Sequence, residues 1–333
     1  MPRMYNEFKK PQRTFRRPQI HLQTQMLRPD PIVQIRKIKF SALYKEWLDL
    51  HRIEIERSTA YKYEKDYVRM EKYWGDIDLV DMTPDIIQGF INQSLLDLSH
   101  ATVNKYCQTL KMCFRYAITK GYISESPMDL VIIPRRQRSE IHPFSPEEIK
   151  LLLQLPVPNW IRDGIIIAYR TGMRVGEVYG LEWADINFNE QFISVQRSQC
   201  RVGSEAFVKL PKTKAGIRRI DIDTTLALHL IEMKERLEFE TKYVFPNPND
   251  PQKFLIPWNI STYLRQMCRD AGIPERNFHT LRHTHASVLL AHGTHPKIVQ
   301  ERLGHADVRQ TLTTYSHMTP TIQKQAVDVF EDL

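Results

Sequence analysis

The chain has 333 residues, 42% of them hydrophobic and 26% charged, with a formal net charge of +8. This balance suits a soluble protein of two units and excludes a disordered chain. No run of about 18 apolar residues occurs, which excludes a spanning helix.

The four cysteines, Cys107, Cys113, Cys200 and Cys268, include no CxxC pair. A zinc ribbon or a disulfide scaffold is therefore not expected, and the chain reads as cytosolic and reduced. Met1 to Lys10 has no apolar stretch before a small-residue cleavage site, so no secretory signal is expected there.

The charge is concentrated at the front. Residues 1–40 hold ten basic side chains against two acids, which accounts for the whole excess; the remainder holds 37 of each sign. Such an arm points to a polyanion, nucleic acid first, with a solvated tail as the plain alternative. Five prolines within residues 1–37 argue against long helices there.

From residue 38 the pattern turns helical. Phe40, Leu43, Tyr44, Trp47 and Leu48 share one helix face. Ser58 reads as an N-cap, followed at helical spacing by Tyr63, Tyr67, Met70 and Trp74. Thr83 and Pro84 read as N-cap and first residue of a third helix. Val103, Tyr106, Leu110, Cys113, Phe114 and Ala117 mark a fourth, stopped by Gly121. Lys105, Lys111 and Arg115 lie on this helix and suit either DNA or solvent. Arg135, Arg136 and Arg138 form a basic linker, suited to phosphates or simply exposed.

Ser145-Pro146-Glu147-Glu148 is a capping box that opens the next helix. Ile161 to Tyr169 reads as a buried helix. Phe192–Val195, Ala206–Leu210 and Ile217–Ile222 alternate as three strands, with a turn at Lys214-Ala215-Gly216. Helical patterns resume near 224. The expectation is a mainly α fold with a small antiparallel sheet in its second part.

Four islands carry chemistry. They are Thr171-Gly172-Met173-Arg174-Val175-Gly176-Glu177, Pro211-Lys212-Thr213-Lys214-Ala215-Gly216, His279-Thr280-Leu281-Arg282-His283, and Leu303-Gly304-His305 with Tyr315 ten residues on. Singly, each has a bland reading: an Arg174–Glu177 ion pair, hairpin lysines, a capping His279, a core Tyr315. Together they supply arginines, lysine, histidines and a tyrosine without an acidic metal cage. Guanidiniums bind phosphate oxygens bidentately, and a tyrosine hydroxyl can attack phosphorus, so the inventory suits a phosphodiester.

In order and spacing, these islands resemble the tyrosine recombinases, specifically phage and mobile-element integrases, over roughly residues 38–320. The resemblance implies a two-domain C-shaped DNA clamp. A basic arm (1–37) would precede a SAM-like helical core-binding domain (38–134), a basic linker (135–142) and an α+β catalytic domain (143–333). It implies Arg174, Lys212, His279, Arg282, His305 and Tyr315 as catalytic residues, with Glu177 in support. Lys214 competes with Lys212 as the general acid, and otherwise joins Lys105, Lys111, Arg115, Arg135, Arg136 and Arg138 as a DNA contact. His283 is expected to be a buried structural histidine, and Thr284 to Leu290 core.

The implied reaction is cutting and rejoining of duplex DNA through a 3′-phosphotyrosine, with neither metal nor ATP. The implied partners are DNA attachment sites, three further protomers in a synaptic tetramer formed from monomers, and an excisionase or host DNA-bending protein, in a bacterial cytosol or nucleoid. The tail beyond Tyr315, with Val327 and Phe330, would pack on a neighbouring protomer or on its own domain. Residues 1–37 are too short and proline-rich for the folded arm-binding domain of many such integrases. The rival readings are a DNA-binding relative without activity, a type IB topoisomerase-like nicking-closing enzyme, and a metalloenzyme built on the i, i+4 pair His279 and His283, which lacks a glutamate at position 280.

Overall fold

A computed structural model of the chain describes residues 37–135, 142–210, 216–305 and 307. Among these residues, the elements gather around two main hydrophobic cores and one small satellite.

The first core is helical. Helices α1 (Phe40–His51), α2 (Arg57–Trp74), α3 (Pro84–Asp97) and α4 (His100–Thr119) form it. All five residues of the α1 stripe are buried, as are all six of the α4 stripe. Aromatic rings join the helices: Phe40 meets Trp74 edge-on at 5.4 Å, and Trp74 meets Phe90 at 4.8 Å. Fully burying a large apolar side chain contributes about 1.5–3 kcal/mol, so these stripes drive the packing. Thr83 caps α3 by accepting from the Ile86 N–H, with Pro84 in the first turn. Ser58 is not a cap. Helix α2 begins at Arg57, with Glu56 extended at the cap position and no side-chain bond capping the first turn.

The second core is built on helices and small sheets. Helices α5 (Pro146–Gln154), α6 (Asn159–Thr171) and the single turn α7 (Val175–Val178) come first. Ser145 and Glu148 close the capping box at α5 in both directions. Strands β1 (Ile186–Asn187), β2 (Phe192–Val195), β3 (Ser198–Val202), β4 (Glu205–Lys209) and β5 (Arg218–Asp221) follow. After them come α8 (Thr224–Glu235), β6 (Pro246–Asn247), β7 (Asp250–Phe254), α9 (Ile260–Asp270), α10 (His279–Ala291) and α11 (Pro296–Leu303).

The three strands read from the sequence do not share one sheet. Strand β2 pairs antiparallel with β1 and β5, with Ile193 opposite Ile220 and both fully buried. Strand β4 pairs instead with β3, which the sequence reading passed over, and β6 with β7 makes a third ribbon. The β3–β4 hairpin exposes much of both faces, so its residues carry no clean alternation. The hairpin rests against the start of α2, with Arg57 paired to Glu205 near the tip and Glu56 paired to Lys209 at the open end. Among the described residues, no helix is long and apolar enough to cross a membrane.

Candidate active site

The site is assembled where α6, α7, α10 and α11 end or begin. Helix α6 stops at Gly172, which takes the left-handed conformation at φ 70°. A side chain there would be strained, and a Cβ would sit 2.7 Å from both His285 and Leu303. The tight turn lets the chain extend through Arg174 and re-enter a helix at once.

Arg174 is held from two sides by Glu177. The carboxylate accepts from the Arg174 backbone N–H at 2.8 Å and from its Nη1 at 2.9 Å. The Arg174 side chain stays 40% exposed, so its charge faces the surface. Glu177 is buried, and burial alone would raise its pKa. The fork of Arg218, followed by the bonds from Arg174, outweighs that effect and holds the carboxyl below its ordinary value.

Arg282 lies one turn into α10 and is only 2% exposed. Its Nη1 donates to the Gly172 carbonyl at 2.8 Å and its Nη2 to the Leu303 carbonyl at 2.6 Å. One guanidinium thus joins the end of α6 to the end of α11. A buried cation is costly unless it is bonded, so these two carbonyls both fix and sustain it. Helix α11 ends at a left-handed Gly304, and His305 follows. The backbone of His305 is pinned by Gln300: its N–H donates to the Gln300 carbonyl, and its carbonyl accepts from Nε2.

The histidines are neutral in this setting. Burial, then Arg282 and Arg174, push His305 down to about 3. Burial, then the neighbouring His279 and Arg282, also lower His283, to about 4. Desolvation lowers His279 too, reinforced by Arg282 and Arg174. The His279 and His283 rings meet edge-on, with centroids 4.8 Å apart. His283 is half-buried at the site rather than deep in the core. Thr284 to Ser287 and Leu290 are buried, while Val288 and Leu289 are only partly so.

Arg174 and Arg218 share one carboxylate, Glu177, and Arg282 brings a third guanidinium to the site, bonded to backbone carbonyls. That excess suits an anion. Guanidiniums do not deprotonate, and neutral imidazoles add hydrogen-bond donors without adding charge. Among the described residues, no group of three His, Cys, Asp or Glu side chains is placed to hold a metal ion.

Of the expected residues, the structure brings Arg174, Glu177, His279, Arg282 and His305 together. Lys212, Lys214 and Tyr315 lie outside the described residues, as do Arg136, Arg138, Val327 and Phe330. Lys105, Lys111, Arg115 and Arg135 are exposed and stand apart from this cluster. Three members of the network went unread in the sequence. Arg218 forks onto Glu177, Arg302 donates from Nε to His285 Nε2 at 3.0 Å, and His285 shares a 2.8 Å hydrogen bond between Nδ1 and the Tyr169 carbonyl. The available signal for Arg218 was a charged residue at an inward position of a strand pattern, two before Ile220.

Residues 144–321 match the phage integrase family, and residues 39–133 match the phage integrase SAM-like domain. The chain belongs to the phage integrase family, the tyrosine-type recombinases. It is 29% identical to a XerC-like tyrosine recombinase of Caldanaerobacter subterraneus subsp. tengcongensis, over 90% of this chain and 85% of that protein. It is 27% identical to the ICEBs1 integrase of Bacillus subtilis strain 168, over 90% of this chain and 84% of that one. The Tn1549 transposon integrase, solved with a circular-intermediate DNA, has the same fold. The TM-score is 0.74 at 19% identity, covering 86% of this chain and 98% of that one.

Proposed function

We propose that the protein is a site-specific recombinase that inserts or excises a mobile element by cutting and rejoining duplex DNA through a 3′-phosphotyrosine. The observation that carries this reading is the cluster in which Arg174, Arg282, His279 and His305 converge with one buried carboxylate behind Arg174.

In this reading Arg174 and Arg282 bind the nonbridging oxygens of the scissile phosphate. Their charge matters most when negative charge spreads over those oxygens in the transition state. His279 and His305 act as neutral imidazoles near pH 7, donating hydrogen bonds or accepting the phenol proton. Tyr315 attacks phosphorus, the Tyr–O–P bond forms, and the bond to the 5′ oxygen breaks. Lys212 protonates that oxygen, with Lys214 the alternative. A 5′-hydroxyl from the partner duplex then reverses the step. The phosphotyrosine conserves the bond energy, so the cycle needs neither ATP nor a metal.

The helical unit at 38–134 and the catalytic unit at 143–333 would close on DNA from two sides, joined by the linker at 135–142. Two duplexes and four protomers give the required exchange, with monomers in free solution and an excisionase or DNA-bending protein setting direction. The basic arm at 1–37 would track the DNA backbone. In this reading the protein acts in a bacterial cytosol or nucleoid.

The test is strand exchange between two labelled duplexes drawn from DNA flanking the gene, with chelator present. Joined product carrying both labels supports recombination. Relaxation of supercoiled DNA without joined product would favour a nicking-closing enzyme. Binding without either would favour an inactive DNA-binding relative.

A further inference from the structure

Arg218 opens β5 and is buried, with its side chain 6% exposed. Its donors reach three separate pieces of the site. Nη1 and Nη2 fork onto the two oxygens of Glu177 at 3.1 and 2.8 Å. Nη1 also donates to the Gly216 carbonyl at 3.2 Å, two residues after Lys214 in sequence. Nε donates to the Arg302 carbonyl at 2.7 Å, three residues before His305.

We infer that Arg218 is a positioning residue for phosphate cleavage, acting through Glu177 on Arg174; the inference rests on the proposed recombinase reading. The Glu177 carboxylate is fully subscribed. Oε1 accepts from Arg174 Nη1 and Arg218 Nη1, and Oε2 accepts from the Arg174 backbone and Arg218 Nη2. Neither oxygen can turn without breaking a bond to each arginine.

Charge makes the same point. With Arg174 alone, one carboxylate would neutralise one guanidinium. With Arg218 sharing that carboxylate, the trio keeps one net positive charge, and Arg174 is its exposed member. A buried ion pair is weak grounds for stability on its own. A carboxylate shared between two arginines serves better to orient Arg174 while leaving it charge for a phosphate.

The test uses the full chain with Arg218→Lys and Arg218→Met, alone and combined with Arg174→Lys. DNA affinity, thermal melting and single-turnover formation of the covalent adduct at saturating DNA are measured for each. Arg218→Lys keeps the charge but loses the fork. It is expected to melt near wild type, to bind DNA within about threefold, and to form adduct about 10²-fold more slowly, the scale of losing one aligned transition-state donor. In the Arg174→Lys background, either Arg218 change should cost less than about threefold more, because residues acting as a unit are not additive.

A substrate with a neutral methylphosphonate at the scissile position carries less charge for Arg174 to meet, so the Arg218 penalty should shrink on it. Adduct formation by Arg218→Lys at the wild-type rate would overturn the inference. So would a penalty that multiplies in full on the Arg174→Lys background. If Arg218→Met fails to fold, Arg218→Lys carries the test. No adduct from the wild type would instead count against the recombinase reading itself.

Discussion

The Arg282 guanidinium donates to the carbonyl of Gly172 at 2.8 Å, across 110 residues of chain. This bond ties the last turn of α6 to the first turn of α10. It works only because Gly172 adopts a left-handed conformation and presents its carbonyl to the buried cation.

Gly172→Ala should therefore damage both stability and chemistry. The left-handed backbone disfavours a side chain, and the added Cβ meets His285 and Leu303 at 2.7 Å. Strain of this kind costs about 1–3 kcal/mol. Thermal melting should fall, and the folded protein should form covalent adduct more slowly than wild type.

The site histidines set an acid limb on stability. His283 and His285 titrate at about 4 and His305 at about 3 in the folded protein, against an ordinary 6.5. Between those values the unfolded chain binds more protons than the native one. Stability then falls as pH drops from about 6.5 toward 4, by at most about 1.4 kcal/mol per pH unit for each group. Above 6.5 these groups contribute no slope. Glu177, held below its ordinary value, adds a further loss at lower pH. Denaturant unfolding across this range checks the sign, and His285→Gln should give a shallower slope than wild type.

Phe114 is fully buried in the helical core and packs against Phe40 at 6.0 Å. Phe114→Ala should cost about 3–5 kcal/mol, the usual range for an aromatic cavity. Chemical denaturation should reveal the loss in the unfolding of this helical core.

The role of general acid separates Lys212 from Lys214. Lys212→Ala should slow cleavage by about 10²–10⁴-fold, the range for a positioned proton donor. Replacing the 5′ bridging oxygen by sulfur should restore most of that rate, because a thiolate leaves without protonation. Lys214→Ala should retain more activity and gain little from sulfur. The reverse pattern would move the acid to Lys214.

Much of this architecture was legible in the chain, for identifiable reasons. The α1 and α4 stripes are buried on one face only, so helical periodicity exposed them. The cap at Thr83 and the box at Ser145 follow from local side-chain bonds and need no tertiary information. Ser58 misled because a serine with a good capping side chain was placed inside the helix. Of the β3–β4 hairpin, β4 was read from Ala206 to Leu210, and β3 was missed because it is partly solvated along its length and leaves no alternation to read. Arg174, Glu177, His279, Arg282 and His305 announced themselves through short motifs in a fixed order. Arg218 and Arg302 did not, because their partners lie far away in sequence: the Glu177 carboxylate for Arg218, and the Asp221 carbonyl for Arg302 Nη1.

The most direct measurement is covalent trapping followed by peptide mapping. Nicked, labelled duplexes tiled across DNA flanking the gene are incubated with wild type, Tyr315→Phe and Arg174→Ala in chelator, then resolved under denaturing conditions. The account predicts a labelled adduct with wild type alone, mapping to the peptide that contains Tyr315. An adduct that persists in Tyr315→Phe, or that requires a divalent metal, would contradict it.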